Sequence, residues 1–382
     1  MQQPNSDASF TTRAWKRLRR NKAAIAGLVV IVCSILVAIF AYCIAPDNTP
    51  NANRMILEVS GQKPGFTVNM LAVKKSRDIE SPNFFQFLLN GKESPDTWIP
   101  IRQYHFEGHQ LVIEKYIDET LSATEKLPLS QILYGSTEAV QTDTTLLQAA
   151  VAERIQPFTY WLGSDKFGRD ILSRLIVGTR VSLSVGSIAV LISLSIGIFL
   201  GAIAGYFRGW IDELVMWFIN VIWAVPTLLL VFAITLALGK GFWQVFIAVG
   251  LTMWVSVARI IRGQVLGIRE LQFVEATRAL GYSHRRTIVK HILPNILGPV
   301  VVIAASNFAT AIVVEAGLSF LGVGVQPPQP SWGLMIKENY NFIITHNPLL
   351  ALAPGVAIMI LVLAFNLLGN GLRDAMDVKG KL

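Results

Sequence analysis

The sequence predicts an all-α polytopic membrane protein with six transmembrane helices and a small α+β extracytoplasmic insert between the first and second. Three observations predict it. The 382 residues are 52% hydrophobic and only 15% charged, with a mean hydropathy of +0.49, whereas soluble domains carry about 25% charged residues. Six runs (23–45, 181–207, 214–239, 241–257, 296–314 and 348–371) contain no charged side chain, and each approaches or exceeds the ~20 residues that cross a hydrocarbon core. Basic residues cluster before the first run ("RAWKRLRRNK"), in the loop at 259–291 and after the last run (Arg373, Lys379, Lys381). Positive charge beside a span marks the cytoplasmic side, so six spans with both termini cytoplasmic satisfy every cluster. The same placement turns the net charge of +8 towards a membrane surface and away from nucleic acid.

Residues 1–22 read as a cytoplasmic tail and 23–45 as the first span. That run exceeds the ~7–15 residues of a signal-peptide core and is expected to remain as an anchor. Its two cysteines, Cys33 and Cys43, lie ten residues apart, ~15 Å along a helix, too far for a disulfide.

Residues 46–160 form the insert. "FTVNMLAV" and "HQLVIEKYI" have the alternation and β-branched content of strands, and "SPNFFQFLLNGKESPD" reads as a short helix stopping at Gly91. His105 and His109 have no further Cys or His nearby and read as surface histidines, not metal ligands. Over 161–180, Ile171, Leu172, Leu175 and Ile176 recur at helical spacing, which predicts an interfacial helix ahead of the second span. Asp170 and Arg174, on the rest of that turn, are candidate gate or pathway residues.

Residues 181–372 make the five-helix core and 373–382 a cytoplasmic tail. In "GIFLGAIAG", Gly197, Gly201 and Gly205 fall four apart on one helix face, the kind of strip that lets two membrane helices approach closely. Pro226 sits inside an apolar run and should kink it. Glu315 is an ionisable group near the end of the fifth span. Such groups are functional candidates, and a hydrogen-bonded structural role is the competing reading.

The cytoplasmic loop at 264–295 is too long and too apolar for a plain connection. The pattern predicts a helix over Arg269–Leu280 with Phe273, Ala276 and Leu280 along one side. Gly281 supplies the left-handed stop, Ser283 caps a second helix reaching His291, and Pro294 closes it. A compact, partly apolar knob outside the bilayer has somewhere to dock.

This loop resembles the EAA loop of ATP-binding-cassette importer permeases: Glu-Ala-Ala, three residues, Gly, nine residues, then Ile-x-Leu-Pro. Glu275, Ala276, Gly281, Leu293 and Pro294 match at that spacing, with Thr277 for the second alanine and His291 for the isoleucine. "HILPN", "GSDKFGRDILSRLIVGTRVSLSVG", "EAGLSFLGVGVQPPQPSWG" and "LAFNLLGNGLRDAMD" are similar to the peptide and nickel branch, over about 155–378, and to its C-type subunit. The long insert departs from that pattern.

The resemblance implies a type I importer permease fold in a bacterial inner membrane. It also implies a second, B-type permease, cytoplasmic ATP-binding subunits, an extracytoplasmic substrate-binding protein and surrounding membrane lipid. Glu275, Ala276, Thr277, Arg278, Gly281, Leu293 and Pro294 would form the ATPase-coupling loop. ATP and Mg would be held by the partner ATPase, in keeping with the lack of a G-x-x-x-x-G-K-[ST] phosphate loop in this sequence. The chain itself is expected to be non-catalytic, with no cofactor or metal. Di- and oligopeptides are the expected substrates; nickel, glutathione or a peptide antibiotic would use the same fold. A membrane-anchored receptor using the insert is the alternative of another class.

Overall fold

The computed structural model describes residues 10–118, 120–136, 143–239, 241–345 and 347–376. The expected tails therefore lie outside the described residues before Phe10 and beyond Met376. The chain begins with α1 (Phe10–Arg20) and the apolar α2 (Lys22–Ile39), followed by one further turn, α3 (Ala41–Ile44). Strands and short helices then alternate: β1 (Phe66–Lys74), α4 (Phe84–Asn90), β2 (Asp96–Glu107), β3 (Gln110–Tyr116), β4 (Ser122–Pro128), α5 (Leu129–Tyr134), α6 (Thr144–Ala152) and β5 (Ile155–Tyr160). After these come α7 (Ile171–Phe207), α8 (Gly209–Trp223), α9 (Thr227–Leu238), α10 (Phe242–Arg269), α11 (Gln272–Ala279) and α12 (His284–Arg286). The last elements are α13 (Leu297–Leu321), α14 (Trp332–Asn339), α15 (Phe342–Thr345) and α16 (Leu349–Met376).

Among the described residues, five helical runs are long and apolar enough to cross a membrane, or six if α8 and α9 count as one. Those two meet at 90°, so the kink expected at Pro226 is a full break. Pro226 cannot donate a backbone hydrogen bond and its ring clashes with the preceding turn. It adopts an extended conformation (ψ 126°) and starts α9 as its N-cap.

A second difference concerns 161–180. No separate interfacial helix precedes the span there: α7 starts only at Ile171 and continues unbroken for 37 residues to Phe207. No proline interrupts this stretch, so the helix propagates straight through the position where a joint was expected.

The chain divides into two compact units. One comprises Met1–Leu36, Val181–Gln326 and Val356–Leu382. Within it, the glycine strip of α7 meets α10. A Cβ at Gly197 would lie 2.4 Å from Val257 Cβ, one at Gly201 2.5 Å from the Ala258 carbonyl oxygen, and one at Gly205 2.8 Å from that of Arg262. Only hydrogen fits at all three positions.

The other unit comprises Val37–Arg180 and Pro327–Gly355, so it takes in more than 46–160. Its sheet runs β4-β3-β2-β1-β5 and is antiparallel throughout. Leu71, Ile101, Leu111 and Ile113 pack against Leu129 and Ile132 of α5 and Val151 of α6. The alternate residues Val68 and Met70 join Tyr116, Tyr160, Ile56 and Val59 in a second core. Both faces are covered, which explains the nearly continuous apolar run of β1. Strands β1 and β3 match their sequence signals. β2 and β5 escape them because Pro100 and Pro157 demote a strand pattern; β4 because its edge position leaves five consecutive residues exposed.

Candidate functional site

The 264–295 loop is built around one well-formed helix stop. α11 covers Gln272–Ala279, shorter than expected because Arg269 ends α10 and Leu271 is extended. Gly281 takes φ +74°. Its N–H donates to the Arg278 carbonyl at 2.9 Å, and the Tyr282 N–H donates to the Thr277 carbonyl at 3.0 Å. These paired bonds form a Schellman motif, which satisfies carbonyls that a helix end otherwise leaves bare. Ser283 caps the next turn by accepting from the Arg286 N–H.

Pro294 does not close the second helix. The helical path runs from α12 through a π-helical stretch, Thr287–Ile292, and a 3₁₀ turn, Leu293–Ile296, into α13. The wider turn lets the Leu293 N–H reach the Ile288 carbonyl, and the Asn295 side-chain amide donates to the His291 carbonyl at 2.6 Å. Proline is accommodated by a change of helical pitch.

The buried side of α11 is not its most apolar one. Val274 and Thr277 face inward, Val274 beside Val265, Ile292 and Ile296. The Thr277 hydroxyl donates to the Val274 carbonyl at 2.7 Å and meets the Thr287 hydroxyl at 3.3 Å. Phe273, Ala276 and Leu280 point outward with Glu275 and Arg278. The apolar row is thus left exposed, while Thr277 and Val274 hold the helix down. Leu293 is half-buried and Pro294 exposed.

Sequence reasoning missed the joint beneath this knob. The buried Tyr206, at the end of α7, places its hydroxyl 2.9 Å from His284 Nδ1. Arg269 donates to the Tyr206 carbonyl at 2.6 Å, and the Arg278 guanidinium lies 5.2 Å from the Tyr206 ring. Only the aromatic pair closing a long apolar run hints at this in the sequence. Where α10, α13 and α16 converge, a cavity of about 570 Å³ is lined by Ile260, Gln264, Ser306 and Arg373, among others.

Glu315 is buried in α13. It accepts a 2.6 Å hydrogen bond from the Ser319 hydroxyl, whose oxygen in turn accepts from the Val325 N–H at 3.0 Å. The carboxylate therefore braces the turn that follows α13.

In the second unit, the side chains of Asp170 and Arg174 go to different partners. Asp170 caps α7 by accepting from the Ser173 N–H at 2.8 Å and from the Ser173 hydroxyl. Burial raises its carboxyl pKa above the ordinary value, against the lowering effect of those bonds. Arg174, fully buried, turns to Glu338 of α14 at 3.3 Å. Arg169 joins Glu338 at 2.8 Å and Asp165 at 2.6 Å. Five charges crowded into Asp165–Arg174 at the start of an apolar helix were a legible signal. Glu338, more than 160 residues away, was not.

Residues 197–379 match the binding-protein-dependent transport system inner membrane component family, and residues 9–59 match the N-terminal TM domain of oligopeptide transport permease C. The chain is 41% identical over 250 residues to the dipeptide transport system permease protein DppC of Alkalihalophilus pseudofirmus, covering 65% of this chain and 80% of that protein. It belongs to this permease family. The glutathione transport system permease protein GsiD of Pectobacterium atrosepticum is 41% identical over 222 residues, 58% of this chain and 73% of that protein. A chain of an inward-facing MetNI methionine ABC transporter structure matches 53% of the permease and 95% of its own length, at 19% identity and TM-score 0.45. Residues 60–196 of the permease fall between the two family matches.

Proposed function

We propose that this permease is the C-type subunit of an ATP-driven importer of di- and oligopeptides, forming half of the membrane pathway beside a B-type permease. The substrate class follows the dipeptide and glutathione permeases it is similar to. The observation that carries the coupling mechanism is the outward apolar row Phe273–Ala276–Leu280 on a helix whose other side is locked by Val274 and Thr277. That row enters a cleft of a cytoplasmic ATPase, which binds the ATP and Mg. Its movement reaches the spans through Tyr206, His284 and Arg269. Gly281 sets the angle between α11 and α12, and the π-helical turn before Pro294 passes the displacement into α13.

In this reading both termini are cytoplasmic and 46–160 faces the extracytoplasmic side, towards the substrate-binding protein. The Arg169–Glu338–Arg174 cluster ties α7 to α14 and acts as the gate's fixed point. The cavity lined by Gln264, Ser306 and Arg373 is the inner vestibule. A tripeptide such as glutathione is the second substrate reading, favoured by the GsiD relatives.

The test is reconstitution of the assembled transporter with wild-type or Gly281→Pro permease. Proline cannot adopt φ +74° and removes the N–H that bonds Arg278. Labelled dipeptide uptake should be lost while the variant remains in the membrane. Undiminished uptake would overturn the coupling mechanism.

A further inference from the structure

α4 is an unusual surface helix. Residues 81–90, "SPNFFQFLLN", carry no charge, yet Phe84, Phe85 and Leu89 are 63%, 75% and 63% exposed. The helix is nonetheless well formed, with a reciprocal capping box between Asn83 and Gln86, which satisfies two of its first amide donors.

Its position is fixed by the chain that leaves the first span. Phe87 packs into the cluster of Ala41, Tyr42, Ala45, Ala52, Ile176 and Val177. The Arg180 guanidinium donates to the Leu88 and Leu89 carbonyls, both at 3.0 Å, and lies 5.3 Å from the Tyr42 ring. Gly91 stops the helix at φ +77°, so close that a Cβ there would lie 2.6 Å from the Asn48 carbonyl oxygen. α4 is therefore clamped to α3, the turn directly after the membrane-crossing α2. Ile39, Phe40 and Ile44 of that exit are exposed as well. A span's own end meets the boundary between headgroups and acyl chains, and α4 is held to that level.

We propose that α4 is a membrane-surface anchor whose Phe84, Phe85 and Leu89 side chains lie in the lipid of the leaflet where α2 ends. Burial of an apolar helix face at the headgroup–acyl boundary is favourable in proportion to its area. Uncharged Phe and Leu, on a helix whose polar groups are already capped, suit that site. Lipid is the occupant because α4 packs on α3 through Phe87, Ala41 and Tyr42, directly where the span ends in the exposed apolar residues Ile39, Phe40 and Ile44. The anchor requires only that α2 cross the bilayer and is independent of substrate and coupling. It would hold the insert against the membrane and limit its swing.

The chain's two cysteines, Cys33 and Cys43, are both free, so a Cys33→Ser/Cys43→Ser background permits single labelling. Phe85→Cys, and separately Phe84→Cys, would carry an environment-sensitive fluorophore in the full-length permease assembled in lipid nanodiscs. Ser122→Cys on exposed β4 serves as the aqueous control. The expected result is blue-shifted emission at 84 and 85, quenched by lipids bearing a spin label near the headgroup and insensitive to aqueous iodide. Quenching by iodide, as at 122, would overturn the anchor. So would protection from both quenchers, which would mean that protein covers the helix.

Discussion

The two ends of α7 are held by opposite chemistry. At its start, Arg174 and the preceding Arg169 share the Glu338 carboxylate. The Trp332 indole donates to the Leu175 carbonyl at 3.0 Å, with its ring over Gly178. At its far end, three glycines bring α7 against the backbone and aliphatic side chains of α10. The first end is specified by which group answers which, the second by how little lies between two backbones. One therefore fails when an atom group is removed, the other when one is added.

Glu338→Ala should have the largest effect. It leaves two buried guanidinium groups with Asp165 as their shared carboxylate and Arg169 with a 3.4 Å bond to the Asn53 side chain, and breaking a buried ion pair costs about 3–5 kcal/mol. Thermal unfolding of the purified permease measures it, and Glu338→Gln, which keeps an acceptor, should lose less. A loss below about 1 kcal/mol, the level of an exposed pair, would make this end no different from a wet surface. At the other end, Gly201→Val forces a side chain onto the Ala258 carbonyl and should cost about 1–3 kcal/mol, as overpacking does. Gly263→Ala, in α10 with open space around it, should instead be neutral or gain about 0.5–1 kcal/mol from helix propensity. Equal effects at 201 and 263 would erase the contrast.

Smaller effects sharpen it. Gly281→Ala meets no steric neighbour and should cost only the left-handed backbone, about 1–2 kcal/mol, so its uptake loss should exceed its stability loss if the turn angle matters for coupling. Thr277→Val keeps the volume but removes the hydroxyl bonds to Val274 and Thr287, about 0.5–1.5 kcal/mol.

The smallest effect is a slope. Burial raises the Asp170 pKa, so the native state binds this proton more tightly than the unfolded chain. That contribution is present below the ordinary value, ~3.9, and declines as pH rises through the raised one. Asp170→Asn should therefore gain on wild type between acid and neutral pH in unfolding scans. The reverse trend would show the carboxylate favoured over its acid in the folded protein.

Much of the 264–295 loop is legible in the sequence because it rests on local rules. The stop at Gly281 needs only a residue free to take positive φ, and the cap needs only a short hydroxyl side chain at Ser283. The orientation of α11 was not legible. Phe273, Ala276 and Leu280 make the more apolar side, yet Val274 and Thr277 are buried, because the helix lies on a core whose position its own residues do not encode. Tyr206 and His284, nearly 80 residues apart, were equally invisible.

Long uncharged runs and a four-residue glycine spacing are properties of consecutive residues, and they were enough to reveal a multi-pass protein and the strip on α7. The 90° break at Pro226, the continuity of α7 across 161–180, the π-helical passage through Pro294 and the meeting of Arg169 and Arg174 with Glu338 were decided by tertiary packing. A proline kink, break or bulge satisfies the same missing hydrogen bond, and a buried arginine accepts any carboxylate within reach. Which option prevails depends on neighbours brought in from elsewhere in the chain.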